Sequence, residues 1–341
     1  MGRATIRDVA AHANLSISTI NRVLHEPGKV RRETLTLVLE SAQAVGFYGI
    51  PTIESALKAV PKVRLGFLLL QRHRAFYQNL GRALIDAGDA VRDHDVVTHI
   101  EYLDEATPQK VSDGLVRLAE KSDALGVVAP EHPNVAATVE QLASRGVKTF
   151  ALVSRLTARC GVGYVGLDAW KVGRTAGWAF DNLCPVPGKI AILVGNHRFR
   201  CQETNESGFR SYFREHPRGF TLLEARSTFE TGSIARDVTE SLLEENPDLA
   251  GLYVSGGGIS GAMTALRDSG RAQSVVAVGY DLTDVTRAAL IDGVLNFVIS
   301  HPLQAMASEA VRSMIWWRAA NPDSPPPSIA LPFEIYTPEN L

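Results

Sequence analysis

Six side chains between positions 16 and 22 are of the types that read the edges of base pairs. Ser16, Ser18 and Thr19 carry hydroxyls, Asn21 an amide, Arg22 a planar fork of donors, and Ile17 a compact apolar surface. Arginine meets guanine bidentately, hydroxyls serve any base, and an apolar side chain suits the thymine methyl. Lys29, Arg31 and Arg32 follow, a positive cluster suited to phosphate oxygens. A second set, Phe76, Arg155, Asp168, Asp281 and His301, is scattered, but each member follows an apolar segment. Carboxylates and amides grip hydroxyls and aromatic rings cover apolar faces, so such residues suit a small polar ligand such as a sugar, polyol or small acid.

Catalytic patterns are scarce. Gly256-Gly257-Gly258-Ile259-Ser260-Gly261 fits G-x-G-x-x-G, and Asp281 lies 20 residues beyond Gly261, formally a dinucleotide fingerprint. It sits late in the chain, whereas the fingerprint normally opens its domain, and no catalytic partners accompany it. Asp93-His94-Asp95 with His99 has metal-ligand types, but Arg92 adjoins it and the run leads into a strand, so a solvated loop is the reading. There is no G-x-S-x-G, no H-E-x-x-H and no G-x-x-x-x-G-K-[ST]. The expectation is no catalytic residue, no metal and no cofactor. An NAD-dependent enzyme using Gly256–Gly261 is kept only as a remote alternative.

The elements that must position these groups begin with short helices. Ile6, Val9, Ala10 and Ala13 share one helical face, with Thr5 and Asp8 forming a capping-box-like start. Asn14-Leu15 makes a tight turn, and Ser16 caps a second helix whose apolar face is Ile20, Val23 and Leu24. Ile17, Ser18, Asn21 and Arg22 are left on its outer face. Glu33 to Val45 repeats the pattern with Leu35, Val38, Leu39, Ala42 and Val45. This is a helix-turn-helix, whose second helix enters a DNA major groove. A ligand-free helical bundle is the bland alternative; the short turn, the small polar outer face and the surrounding basic charge argue against it.

Beyond Gly46 the texture changes. Phe47-Tyr-Gly-Ile-Pro51 is expected to break the helix, with one or two turns over Thr52 to Ala59 that would need a partner to persist. From Val63 onward apolar strands alternate with helical stretches: Val63–Leu70, Val96–Tyr102, Leu125–Ala129, Lys148–Val153, Tyr164–Leu167, Lys189–Val194, Phe220–Ala225, Gly251–Val254, Ser274–Gly279 and Leu295–Ile299. Their continuous apolar character predicts parallel strands buried on both faces. Two doubly wound subdomains facing a cleft accommodate this many strands better than one. A last strand is expected over Ile329–Tyr336. The expected fold is an all-α helix-turn-helix head plus an α/β body of two doubly wound parallel-sheet subdomains. The domains are 1–46, a hinge at 47–61, and a core at 62–341. No internal repeat is visible.

The formal net charge of −2 hides an asymmetry: residues 1–64 carry +4 and the remainder −6. Phosphate neutralisation needs local positive charge, so nucleic acid is expected at one end only. Apolar residues make up 45%, enough for a sizeable core. The first residues lack an apolar signal segment and no apolar run is long enough to span a bilayer, so a cytoplasmic location is expected. Cys160, Cys184 and Cys201 match neither a disulfide framework nor a metal motif.

Thr5–Gly46, a linker containing Ala56-Leu57-Lys58 and an α/β body together resemble the lactose-repressor (LacI-type) family of bacterial transcription regulators. The body resembles the ribose-type periplasmic binding proteins. The resemblance implies a homodimer or homotetramer, a palindromic double-stranded DNA operator, and a small effector between two core subdomains. It places Ile17, Ser18, Thr19 and Arg22 at base or backbone contacts, with Thr5, Ser16 and Asn21 beside them, and makes Leu57 the hinge residue that wedges into the minor groove. Ile53-Glu54 departs from the family's small or basic pair. In the body the resemblance adds Arg74 and Tyr77 beside Phe76 as an aromatic effector platform, and Asn205 where an arginine clamp is frequent. Ala169 and Ser154 also depart, so no sugar identity is carried over. A periplasmic-type solute-binding protein with the same body is the alternative, disfavoured by the head and by the missing signal segment.

Overall fold

The computed structural model describes residues 4–27, 30, 32–58, 61–321 and 324–341. Two compact units divide near Val63, with Val91–Val96 grouped with the first. The first is helical: α1 (Ile6–Ala13), α2 (Ile17–His25), α3 (Arg32–Val45) and α4 (Ile50–Lys58). Asn14 ends α1 in the left-handed region at φ 53°, a conformation asparagine tolerates. Leu15 then turns back, its amide donating to Ala10 O at 3.0 Å. Val9, Ile20, Val23, Val38, Phe47 and Ile53 form the buried centre of this unit.

The helix breaks after Gly46 as expected, α3 ending at Val45, but the helix that follows starts at Ile50, two residues before the expected Thr52. Pro51 does not break structure; it lies in the first turn of α4, where its missing N–H has no intrahelical partner to lose. The partner such a short helix requires is the head itself, because Phe47 and Ile53 are fully buried in the head cluster and Ala56 and Leu57 pack against it. Ile53 is apolar for that reason. Ala59 lies outside the described residues.

The second unit holds two sheets. The strands of the first are β1 (Lys62–Leu70), β2 (Asp95–Leu103), β3 (Ala124–Val127), β4 (Lys148–Leu152) and β5 (Gly163–Leu167). Those of the second are β6 (Lys189–Val194), β7 (Thr221–Leu222), β8 (Arg226–Ser227), β9 (Leu249–Val254), β10 (Val276–Tyr280) and β11 (Phe297–Ser300). Between them lie α5 (Ala75–Asp89), α6 (Pro108–Ala119), α7 (Pro133–Ser144), α8 (Ala169–Leu183), α9 (Arg200–Glu215), α10 (Gly232–Glu245), α11 (Ile259–Asp268), α12 (Asp284–Ile291) and α13 (Leu303–Ala319). The final strand expected over Ile329–Tyr336 is two, β12 (Ser328–Leu331) and β13 (Glu334–Tyr336). Pro332-Phe333 separates them, and each joins a different sheet: β12 pairs parallel with β5, β13 antiparallel with β11.

The sheet orders are β12-β5-β4-β3-β1-β2 and β13-β11-β10-β9-β6-β7, with β8 also pairing β6. Without the terminal strands, both follow one doubly wound order, so the body repeats in topology although no repeat shows in the sequence. The chain crosses between sheets after β5, after β11 and between β12 and β13. Helices α5 and α13 pack together on the first sheet, as do α6 and α7. On β9, Tyr253 packs with α8 and α9, while Leu252 and Val254 face the cluster of α10, α11 and α12. Burial on both faces is why the inner strands are largely apolar, whereas the edge strand β2, with Thr98, His99 and Glu101, is only partly buried. Among the described residues no helix is long and apolar enough to cross a membrane.

Candidate functional sites: a recognition helix and a cleft

Helix α2 is amphipathic in the sense a groove reader requires. Ile20 and Val23 are fully buried, while Ile17, Ser18, Asn21, Arg22 and His25 are exposed, Ile17 by 45%. Ser16 caps the helix, its Oγ accepting from Thr19 N at 3.1 Å and lying 2.9 Å from Thr19 Oγ1. Those two hydroxyls therefore order the helix start that presents Ile17 and Ser18. At α1, Asp8 Oδ2 accepts from Thr5 N at 2.7 Å and from Thr5 Oγ1 at 2.8 Å. These bonds hold the Asp8 carboxyl below its usual value. Leu57 packs against the head cluster rather than standing clear of it. Lys29 and Arg31 lie outside the described residues, and Arg32 is described only as the first residue of α3.

The body encloses a cavity of about 570 Å³ between the carboxyl ends of the two sheets, the position where open α/β sheets bind ligands. One wall is the segment after β1, with Gln71 and His73 to Tyr77, together with Val153 after β4. The other comes from the second sheet: Cys201, Gln202 and Asn205 of α9, Glu230 after β8, Ser255 to Ser260 after β9, and Tyr280, Asp281 and Thr283 at the end of β10. Several lining residues hold unusual backbone. Gln71, Val153, Glu230 and Asp281 have φ of 35°, 65°, 61° and 61°, left-handed values that L side chains rarely adopt and that cluster at binding sites.

The polar groups of the cavity are held by one another. Arg74 Nη1 donates to Glu230 Oε2 at 2.5 Å and to Gln71 Oε1 at 3.2 Å. Gln202 Nε2 donates to Glu230 Oε1 at 2.7 Å. Burial works against the Arg74 charge, but Glu230, Tyr77 and Asp281 together more than offset it and the guanidinium stays above its usual value. Burial also pushes the Tyr77 hydroxyl up, against the pull of Arg74. It lifts the Cys201 thiol to about 12, so this sulfur stays protonated near neutrality. Tyr253 OH donates to Asn205 Oδ1 at 2.5 Å. Asp281 Oδ1 accepts from His301 N at 3.0 Å and from His301 Nδ1 at 2.7 Å, which fixes the ring nitrogen facing the carboxylate as the donor. The His301 ring lies 5.5 Å from Phe76 and 5.4 Å from Tyr280, centroid to centroid.

Of the residues expected to bind an effector, the structure brings Arg74, Phe76, Tyr77, Asn205 and Asp281 to this cavity. His301 sits one layer behind, supporting Asp281 and Phe76. Arg155 and Asp168 are corrections. The Arg155 guanidinium lies over the Tyr164 ring at 3.8 Å and donates to Ser328 Oγ at 3.0 Å. Asp168 caps α8 by accepting from Lys171 N at 3.2 Å. Strand β5 lies toward the β12 edge and leads directly into the crossing helix, so its end serves the crossover instead of the cleft.

Sequence reasoning missed Gln202 and Glu230. The two-residue strand β8 is too short to show periodicity, so the loop that carries Glu230 gave no signal. Gln202 follows β6 within the first turn of α9 and was within reach of the rule that ligands gather at strand ends. The glycine-rich run has a structural account: Gly258 caps α11 at φ 94°, and a Cβ on Gly261 would lie 1.7 Å from Gly232 O. Its glycines allow α10 and α11 to pack closely and the loop to line the cavity. Among the described residues no three His, Cys, Asp or Glu side chains converge as a metal site.

Comparison with known proteins agrees with this division. The family "Bacterial regulatory proteins, lacI family" matches residues 5–49, and "Periplasmic binding protein domain" matches residues 65–315. The ribose operon repressor of Halalkalibacterium halodurans is 23% identical over 288 residues, covering 81% of this chain and 80% of that one. Among solved structures, an ABC transporter solute-binding protein from Agrobacterium vitis bound with alpha-D-tagatopyranose superposes with a TM-score of 0.74 at 18% identity. It covers 82% of this chain and 95% of that chain. A glucose-galactose binding protein from Geobacillus stearothermophilus gives 0.73 at 17% identity, over 82% and 99%. With a helix-turn-helix at one end and a cleft between two doubly wound sheets in the rest, the chain belongs to the LacI-type family of bacterial transcriptional regulators, its body a periplasmic-binding-protein domain.

Proposed function

We propose that the protein is a cytoplasmic repressor that binds a palindromic operator as a homodimer or homotetramer and is governed by a small hydroxyl-rich effector, a sugar or polyol. In this reading residues 1–46 dock on DNA, 47–61 act as the hinge and 62–341 bind effector and hold the assembly together. Ile17, Ser18, Asn21 and Arg22 read base edges, and Lys29, Arg31 and Arg32 touch phosphate. The observation that carries the effector assignment is the cavity itself: Phe76 and Tyr77 supply ring surface beside Arg74, Asn205 and Asp281. Rings for an apolar sugar face and directional groups for its hydroxyls are the two things a polyol needs. The sugar-binding solved relatives and the ribose operon repressor support the same class.

Two measurements test this. Selection of bound sequences from a random DNA pool should enrich one inverted repeat. A thermal-shift screen of sugars and polyols should then find a stabilising compound, since a ligand at a hundredfold over its Kd adds about 2.7 kcal/mol. Enrichment of no symmetric sequence would refute the operator reading, and absence of any stabilising sugar or polyol would refute the effector reading.

A further inference from the structure

Arg74 and Glu230 stand on opposite walls of the cavity, one before α5 on the first sheet and the other between β8 and α10 on the second. Both carboxylate oxygens of Glu230 are engaged, Oε2 by Arg74 and Oε1 by Gln202. Gln202 is itself held, its Oε1 accepting from Asn196 N at 2.9 Å. The backbone is bent to deliver this side chain, with Phe229 and Glu230 consecutive left-handed residues at φ 49° and 61°. Space is kept for it as well. A Cβ on Gly257 would lie 2.0 Å from Glu230 Oε2 and 2.8 Å from both terminal nitrogens of Arg74, and one on Gly195 would lie 1.8 Å from Oε1. Two loops from different strands therefore omit side chains around one carboxylate.

We propose that Glu230 sets the charge class of the effector: by neutralising Arg74 across the cleft in advance, it makes the site accept uncharged polyols and reject carboxylated or phosphorylated ones. This rests on the polyol reading above. Among the described lining residues, the permanently charged cation is Arg74, and it faces two carboxylates, Glu230 and Asp281, with an exposed His73 beside them. An incoming anion must either displace Glu230 from Arg74, leaving a part-buried carboxylate unpaired, or stand beside two carboxylates. At a few ångströms and an effective dielectric near 20, one such like-charge contact weakens binding by about a hundredfold or more. A hydroxyl meets no such penalty. The bonds of Arg74 described above use Nη1, and His301 bonds Asp281 through Oδ1 both times, so a hydroxyl has a donor and an acceptor to meet.

The test uses the full-length protein, titration calorimetry and sets of compounds sharing one skeleton. The sets are D-ribose, ribonate and ribose 5-phosphate; D-galactose, galacturonate and galactose 6-phosphate; and myo-inositol with inositol 1-phosphate. The expected result is that a neutral member binds and that its acidic counterparts bind at least tenfold more weakly. In Glu230→Gln that discrimination should shrink at least tenfold, because the amide keeps the size of the side chain and loses its charge. An acid binding the wild type within tenfold of its neutral parent overturns the proposal, and so does unchanged discrimination in Glu230→Gln. Should Glu230→Gln fail to fold, Arg74→Gln is the second variant: it leaves Glu230 unpaired, so discrimination against acids should widen, and an unchanged ratio overturns the proposal. A neutral member that binds, with its acidic counterpart binding as well or better, sinks this inference alone. Binding of nothing in the series sinks the polyol reading and this inference with it.

Discussion

Arg22 and Asp281 are the two side chains on which the proposed activities turn, and their surroundings predict different failures. Arg22 is exposed on α2 beside Asn21 and Ser18, with Val23 next to it locked in the core. Arg22→Ala should leave the head folded, weaken operator binding by about 1–3 kcal/mol and relax preference at one symmetric position. Gel shifts on single-base operator variants check this; equal weakening on every variant would make Arg22 a phosphate contact. Asp281 is bonded to both the amide and the ring of His301. Asp281→Ala should abolish effector response, at least about a hundredfold in effector affinity where one charge-assisted bond is lost with its partner left buried. Effector-free operator binding should persist. Reporter induction and direct effector titration decide it, and a normal response would remove Asp281 from the binding set.

At the scale of elements, α4 links head folding to the segment the family uses as a hinge. A nine-residue helix is marginal alone, and Ile53 secures it by sitting fully buried among residues of the head. Ile53→Ala removes that anchor and should lower head stability by about 2–5 kcal/mol, with operator affinity falling in step and effector binding unchanged. Amide exchange or proteolysis resolved by segment would read the loss, and a head as protected as the wild type would show that α4 is dispensable to it. In the body the comparable element is the pair of loops after β8 and β9. There, glycines at 257 and 258 admit the Glu230 side chain and start α11. A side chain at Gly257 would push Glu230 and Arg74 out of their pairing, which accounts for a glycine run that on spacing alone mimics a dinucleotide site.

For the whole molecule, a regulator of this family couples two ligands through one protein. By linkage, effector and operator must change each other's affinity by the same factor, typically about 1–3 kcal/mol. Measuring effector affinity with and without saturating operator, and operator affinity with and without effector, should return equal ratios within error. Unequal ratios would mean that assembly state changes between the two measurements. A single head offers little contact area, and operator symmetry mirrors protein symmetry. Sedimentation should therefore find a dimer or larger species at micromolar concentration; a monomer with full operator affinity would exclude the symmetric reading.

The amino-acid sequence by itself determined the elements and their class. Apolar residues at helical spacing defined α1 to α3, and apolar runs defined most strands, because burial of one stripe or of two faces writes itself into local periodicity. The helix-turn-helix was legible for the same reason: the residues that write its buried and exposed faces are neighbours in sequence. The cleft was legible only in part. Phe76 and Asp281 follow strong strands that point them into it, whereas Arg155 and Asp168 follow equally clear strands and were drawn instead to Tyr164 and to the cap of α8. Glu230 lies 156 residues from the arginine it meets, after a strand too short to announce itself. The split of the last strand between two sheets and the packing of α4 on the head were likewise settled by long-range contact. Local pattern encodes which face of an element is buried; which elements meet, and therefore which charges are paired, depends on the strand order and crossovers of the folded chain.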